Sequence, residues 1–128
     1  MRAGRLLEID PAAIAEEVDD VGEEQYDKHA STLRILMLHL QKWDHQPDRR
    51  SRSWTAPARE QRRRVLRQLR KNPGLKSRLD EALAEAYEDA RDEASGETGL
   101  ALNAFPTALP YEYAEIIDRP VVWPGDEL

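Results

Sequence analysis

The chain has no cysteine. Disulfide staples, thiol nucleophiles and thiolate-held zinc are therefore all excluded. Aromatics make up only 6% of its 128 residues, with a single Phe, so the core must be built mainly from aliphatic side chains and alanine. Glycines number six and never cluster, which leaves no phosphate-cradling loop. No apolar run exceeds the four residues Ile35 to Leu38, far short of the ~20 that span a membrane. The opening MRAGRLLEID has no apolar h-region and so does not read as a secretory leader. These absences point to a cytoplasmic protein that needs no cofactor. By length it is one domain over residues 1–128.

What the chain does have is charge, unevenly placed. Between Arg49 and Arg78 twelve Lys/Arg face one acid, a balance of +11; the remainder holds seven Lys/Arg against 24 acids, a balance of −17. A basic block between two acidic arms implies either internal neutralisation, which we expect, or a polyanionic partner.

Hydrophobic periodicity gives helices and no strands. Asp10-Pro11 reads as an N-cap and first-turn proline, opening a helix over 11–21 in which Ile14, Val18 and Val21 recur at i, i+4 and i+7. Gly22 is expected to end or kink it. The next helix covers 23–43, with Tyr26, His29, Ala30, Leu33, Leu36, Met37, Leu40 and Trp43 on one face and Ile35 and Leu38 outside it. Pro47 stops it. Ser53 or Thr55 caps a third helix, 55–71, whose inner stripe is Trp54, Ala58, Gln61, Val65 and Leu69 with Leu66 alongside. Asn72-Pro73 repeats the cap-plus-proline signal before a fourth helix, 73–95. From Leu100 the period fails, and four prolines punctuate the stretch Phe105 to Pro124. Residues 100–128 should form an irregular strap with one short helix over 112–117. The expected fold is all-α, an antiparallel bundle of about four helices under that strap.

Six motifs stand out across these elements: AEEVDDVG at Ala15 to Gly22, LMLHLQKW at Leu36 to Trp43, RSRSW at Arg50 to Trp54, EQRRRVL at Glu60 to Leu66, NPGL at Asn72 to Leu75 and FPTALPY at Phe105 to Tyr111. In them the chain resembles a bacterial family called domain of unknown function 29. The resemblance runs from about Arg2 to Pro124. It implies an all-helical fold with no established activity, and it carries no catalytic residue over. Members usually have a further helix before the segment matched by MRAGR, and a plain helical residue where Pro57 stands. The first departure leads us to expect self-association through apolar surface left uncovered.

Chemistry has little foothold. His39 and His45 are six apart across a helix end, and neither Glu-x-x-His nor His-x-x-x-His occurs, so no metal site is expected. Doublets such as Glu16-Glu17 or Glu88-Asp89 point about 100° apart on a helix and aim at no common atom. No catalytic residue is assigned. His29, on the apolar face, reads as a buried histidine holding one hydrogen bond.

Three groups remain. The tryptophan-rich junction His39, Trp43, Ser53 and Trp54 reads as a helix end, a turn and a helix start clamped together. Arg49, Arg50 and Arg52 with Arg59, Arg63, Arg67 and Arg70 form an anion-binding candidate; neutralising ~6 phosphates would give a log–log salt slope near −5. No aromatic stacking platform accompanies them. Finally Gln61 and Arg62 lie on or beside a stripe where a bundle prefers leucine, so burial obliges them to find partners. Arg62 is expected to reach Glu16 or Glu17 under Trp54, as an orienting pair or, less favoured, a small-anion pocket or enzyme site. The leading reading is binding to a protein partner or to itself, then nucleic acid, with no membrane.

Overall fold

The computed structural model describes residues 11–121, with side chains from residue 22 onward. Four α-helices and no strand occur among them: α1 (Pro11–His45), α2 (Thr55–Lys71), α3 (Leu79–Thr98) and α4 (Tyr113–Asp118). The fold is an all-α bundle.

The 35 residues of α1 give a rod of about 52 Å. It passes through Gly22 without a break, where an end or a kink is expected from sequence. Glycine interrupts a helix at a C′ position with left-handed backbone. Gly22 is instead followed by Glu23, Glu24 and Gln25, good helix formers that carry the rod onward, at a cost of ~1 kcal/mol relative to alanine. The Ile14, Val18 and Val21 stripe lies outside the residues whose side chains are described.

α1 packs on both α2 and α3, more extensively on α3. Contacts fix the directions. Glu23 meets Arg78, Arg34 meets Glu93 and Lys42 meets Glu97, so α3 runs parallel to α1. α2, between them in sequence, returns the other way beside His29 and Thr32. Leu33, Leu36, Met37 and Leu40 are fully enclosed, as are Ala58 and Val65 of α2 and Ala90 and Ala94 of α3. Leu38 is also buried, although the wheel places it outside the apolar face.

The helix ends explain the connections. α1 stops at His45 before Gln46-Pro47, and the Arg50 Nε donates to the Trp43 carbonyl at 2.7 Å, satisfying an acceptor the helix leaves open. At α2 neither Ser53 nor Thr55 caps by its side chain: Ser53 pairs with Ser51, and Thr55 Oγ1 donates back to Arg52 O. A 3-10 turn, Arg52–Trp54, runs straight into α2 and its carbonyls face the first helical N–H groups, so a side-chain cap is redundant. Pro57 sits in the first turn, where its missing N–H costs nothing. The expected 73–95 helix divides into a 3-10 segment, Pro73–Arg78, and α3 proper. α3 ends at Gly99 with φ +76°, a left-handed terminus.

Residues 100–121 then cross the bundle. Phe105, Tyr111, Ile116 and Val121 are buried in the common core. Tyr87 donates its hydroxyl to the Pro106 carbonyl and Arg91 Nε to the Phe105 carbonyl at 3.1 Å. α4 carries a capping box between Glu112 and Glu115. It contacts α1 and accepts hydrogen bonds from Arg62 of α2, yet is only ~9 Å long against ~26 Å for α2. That mismatch leaves part of α2 uncovered.

Candidate functional site

At the tryptophan junction two cations stack on the indole rings. The Arg50 guanidinium stacks 4.5 Å from the Trp43 ring, and Lys42 Nζ lies 5.2 Å from that of Trp54. Trp43 is buried; Trp54 is partly buried against the core. His45 tilts against Phe105 at 4.6 Å between ring centroids. His39 is partly buried, and that burial, with Lys42 nearby, holds its imidazole below the usual histidine range. Among the described residues no group of three His, Cys, Asp or Glu could hold a metal.

Gln61 is buried and Arg62 half-buried. Arg62 finds carbonyls among the described residues, not a carboxylate: Nε donates to Ile116 O at 2.8 Å and Nη2 approaches Glu115 O at 3.4 Å. Those oxygens belong to the last turn of α4, so the cation closes the negative end of a short helix. Burial, then Arg119, lower the Arg62 pKa, while Asp118 opposes them. The side chains of Glu16 and Glu17 lie outside the described residues.

A second anchor holds the strap, and no sequence signal marks it. Arg119 donates to both oxygens of Asp44, at 2.7 and 3.1 Å, and the Tyr111 hydroxyl donates to Asp44 Oδ2 at 3.0 Å. The partners are 67 and 75 residues apart, beyond any local periodicity. Inside the bundle His29 Nδ1 meets Gln68 Oε1 at 2.9 Å, and Gln68 Nε2 donates to Thr32 Oγ1. Burial pushes the His29 pKa down.

Among the described residues few acids reach the basic block. Arg78 pairs with Glu23 and Glu81, and Arg64 with Glu60. Other ion pairs among the described residues serve cations outside the block: Glu93 with Arg34, Glu97 with Lys42, Asp44 with Arg119 and Glu24 with Lys28. Arg49, Arg59, Arg63, Arg67 and Arg70 are exposed and form no ion pair or hydrogen bond among the described residues. Arg52, also exposed, does have an interaction.

Within this cationic face sits Leu66, 46% exposed and not on the inner stripe. Helix geometry explains why. Its neighbours at i−7, i−4, i−3 and i+4 are Arg59, Arg62, Arg63 and Arg70. Leu66 opens onto a shallow groove lined by Leu69, Leu79 and Tyr113, with Arg70 and Lys76 at its rim. Sequence reading misses it because Leu66 adjoins the buried stripe, and only the shortness of α4 leaves it bare. The signal available was its encirclement by four arginines.

No helix among the described residues is long and apolar enough to cross a membrane. A family model described as Domain of unknown function DUF29 matches residues 1–121. No curated protein and no solved structure matches the chain.

Proposed function

We propose a protein-binding role for this chain, which belongs to the family Domain of unknown function DUF29: a cytoplasmic interaction module that docks a partner on the outer face of α2. The observation that carries this reading is Leu66, exposed at the mouth of an apolar groove among arginines of which Arg59, Arg63 and Arg70 have no partner among the described residues. Covering the exposed part of one leucine contributes on the order of 1 kcal/mol. The arginines add encounter rate and register more than affinity. An apolar centre with a charged rim is the usual anatomy of a protein interface.

Nucleic acid is the second reading, favoured by five arginines without a partner among the described residues, three of which, Arg59, Arg63 and Arg67, are spaced four residues apart. It leaves Leu66 without a role, and Tyr113, the single ring lining the groove, is too little to stack successive bases. An enzymatic role has no support from Arg62, which is engaged with main-chain carbonyls.

The test is affinity capture from native lysate, with and without nuclease, using the parent chain, Leu66→Asp and Arg63→Glu/Arg70→Glu. Protein capture that survives nuclease and is lost in both variants supports the reading. Capture that disappears with nuclease, or that ignores Leu66→Asp, overturns it.

A further inference from the structure

The identity of the docked element follows from matching the groove to what the chain itself carries, and it rests on the binding role proposed above. The groove asks for an apolar stripe, because Leu66, Leu69, Leu79 and Tyr113 line it. The groove also asks for acid, because its rim is Arg70 and Lys76 and its flank on α2 is Arg59, Arg63 and Arg67.

The first turns of α1 meet both demands. Arg78, which immediately precedes α3, pairs with Glu23 of α1. The twelve residues of α1 before Glu23 therefore extend about 18 Å past that level. In sequence this extension, PAAIAEEVDDVG, places Ile14, Val18 and Val21 at i, i+4 and i+7 and carries Glu16, Glu17, Asp19 and Asp20 with no cation. It is an acidic amphipathic helix.

The extension leaves the bundle at the end where α2 finishes and α3 begins, which is also the end where the groove opens. Direction prevents it from folding back into its own groove. α1 is a continuous helix from Pro11 to His45, so its first turns point away from the bundle. A second copy set end to end has no such restriction. Each extension can then enter the other copy's groove about a two-fold axis, a closed and reciprocal arrangement. The acidic outer residues of α3, Asp80, Glu88 and Asp92, are a poorer match. Leu83 and Tyr87 of that helix are buried in their own core and Leu79 lines the groove itself, leaving no apolar stripe to present.

We propose that the chain forms a two-fold dimer in which residues 11–21 of each copy lie in the groove of the other, their apolar stripe on Leu66, Leu69, Leu79 and Tyr113 and their carboxylates along Arg59, Arg63 and Arg70.

Sedimentation velocity on the full chain, from ~1 to ~200 µM at ~50 and ~500 mM salt, tests this. A dimer is expected that weakens as salt screens the charges. Leu66→Asp in the groove and Val18→Asp in the extension should each weaken it. Each substitution occurs twice per dimer, so a tenfold loss at one site becomes about a hundredfold overall. Arg63→Glu/Arg70→Glu should dissociate it, and combining that pair with Glu16→Arg/Glu17→Arg should restore association. This recovery cannot come from a misfolded chain. A monomer at every concentration in low salt overturns the proposal, as does a dimer indifferent to Leu66→Asp and Val18→Asp, or the absence of rescue. If the chain is monomeric yet lysate capture still depends on Leu66, the occupant is a foreign protein: the dimer falls and the binding role stands. Should neither respond to Leu66→Asp, both fall.

Discussion

Arg62→Met removes a guanidinium while keeping most of the aliphatic stem, and two opposing effects decide the outcome. The Nε–H···O bond to Ile116 at 2.8 Å is charge-assisted, a class that contributes ~1.5–3 kcal/mol. The 3.4 Å approach to Glu115 adds little. Because Arg62 is only half-buried, water can replace part of what is lost, which lowers the cost to ~1–2 kcal/mol. Against this, substitution relieves the desolvation and the repulsion from Arg119 that lower the Arg62 pKa. The net expectation is a destabilisation of about 1 kcal/mol, or a melting temperature lower by ~3–5 °C for a chain of this size. Urea midpoints at constant m-value measure the total. Amide exchange locates it, since α4 amides should lose protection before those of α1. A midpoint that stays put or rises would refute the reasoning, showing that the buried cation costs more than its hydrogen bond returns. Equal loss of protection in α1 and α4 would also refute the anchoring role.

Three further outcomes follow from the same geometry. Burial holds His29 below its ordinary pKa, so the unfolded chain takes a proton that the folded one resists. Stability is fully present above ~6.5 and is lost as pH falls toward the folded value, by at most ~1.4 kcal/mol per pH unit for one proton; urea midpoints from pH 7 to 5 should therefore flatten in His29→Leu, with the residual slope due to His39, and a profile parallel to the parent's would contradict this. Asp44→Ala strands the buried Tyr111 hydroxyl and the Arg119 fork at a cost of ~2 kcal/mol, whereas Asp44→Asn keeps an acceptor and should cost about half as much; equal losses in the two variants would mean that the hydrogen bonds carry no weight. Gly99→Ala should destabilise by ~1 kcal/mol because φ is +76°, while Gly96→Ala, inside α3 with nothing within 4 Å of the added Cβ, should stabilise by up to ~1 kcal/mol; thermal melts that move in the same direction would refute the backbone argument.

The pattern of apolar residues made the all-helical class readable, because period 3.6 is a local property. The inner stripe of α2 is readable for the same reason: Ala58, Gln61, Val65 and Leu69 are all buried. What escaped depends on distance along the chain or on competition between local signals. Gly22 is a weak breaker next to strong helix formers, and the rod runs on. Pro73 and Gly74 hold the next segment in a 3-10 turn for six residues before α3 can propagate. Arg62 advertises a need for partners, but the carbonyls that meet it lie 53 and 54 residues away. The groove at Leu66 arises because α4 is shorter than the helix beside it, and no window of sequence reports a length mismatch between remote elements.

Phe105, Tyr111, Ile116 and Val121 bring late-synthesised side chains into a core whose other members come from much earlier in the chain. On the ribosome, then, α1, α2 and α3 emerge with a seam that the strap has yet to roof, and Asp44 waits for Arg119 and Tyr111. A nascent chain paused at residue 104 would present its greasiest helix to the crowd at the tunnel exit, the situation in which chaperones engage. The order of residues thus makes final closure a late event, and it places the danger of aggregation in the interval just before.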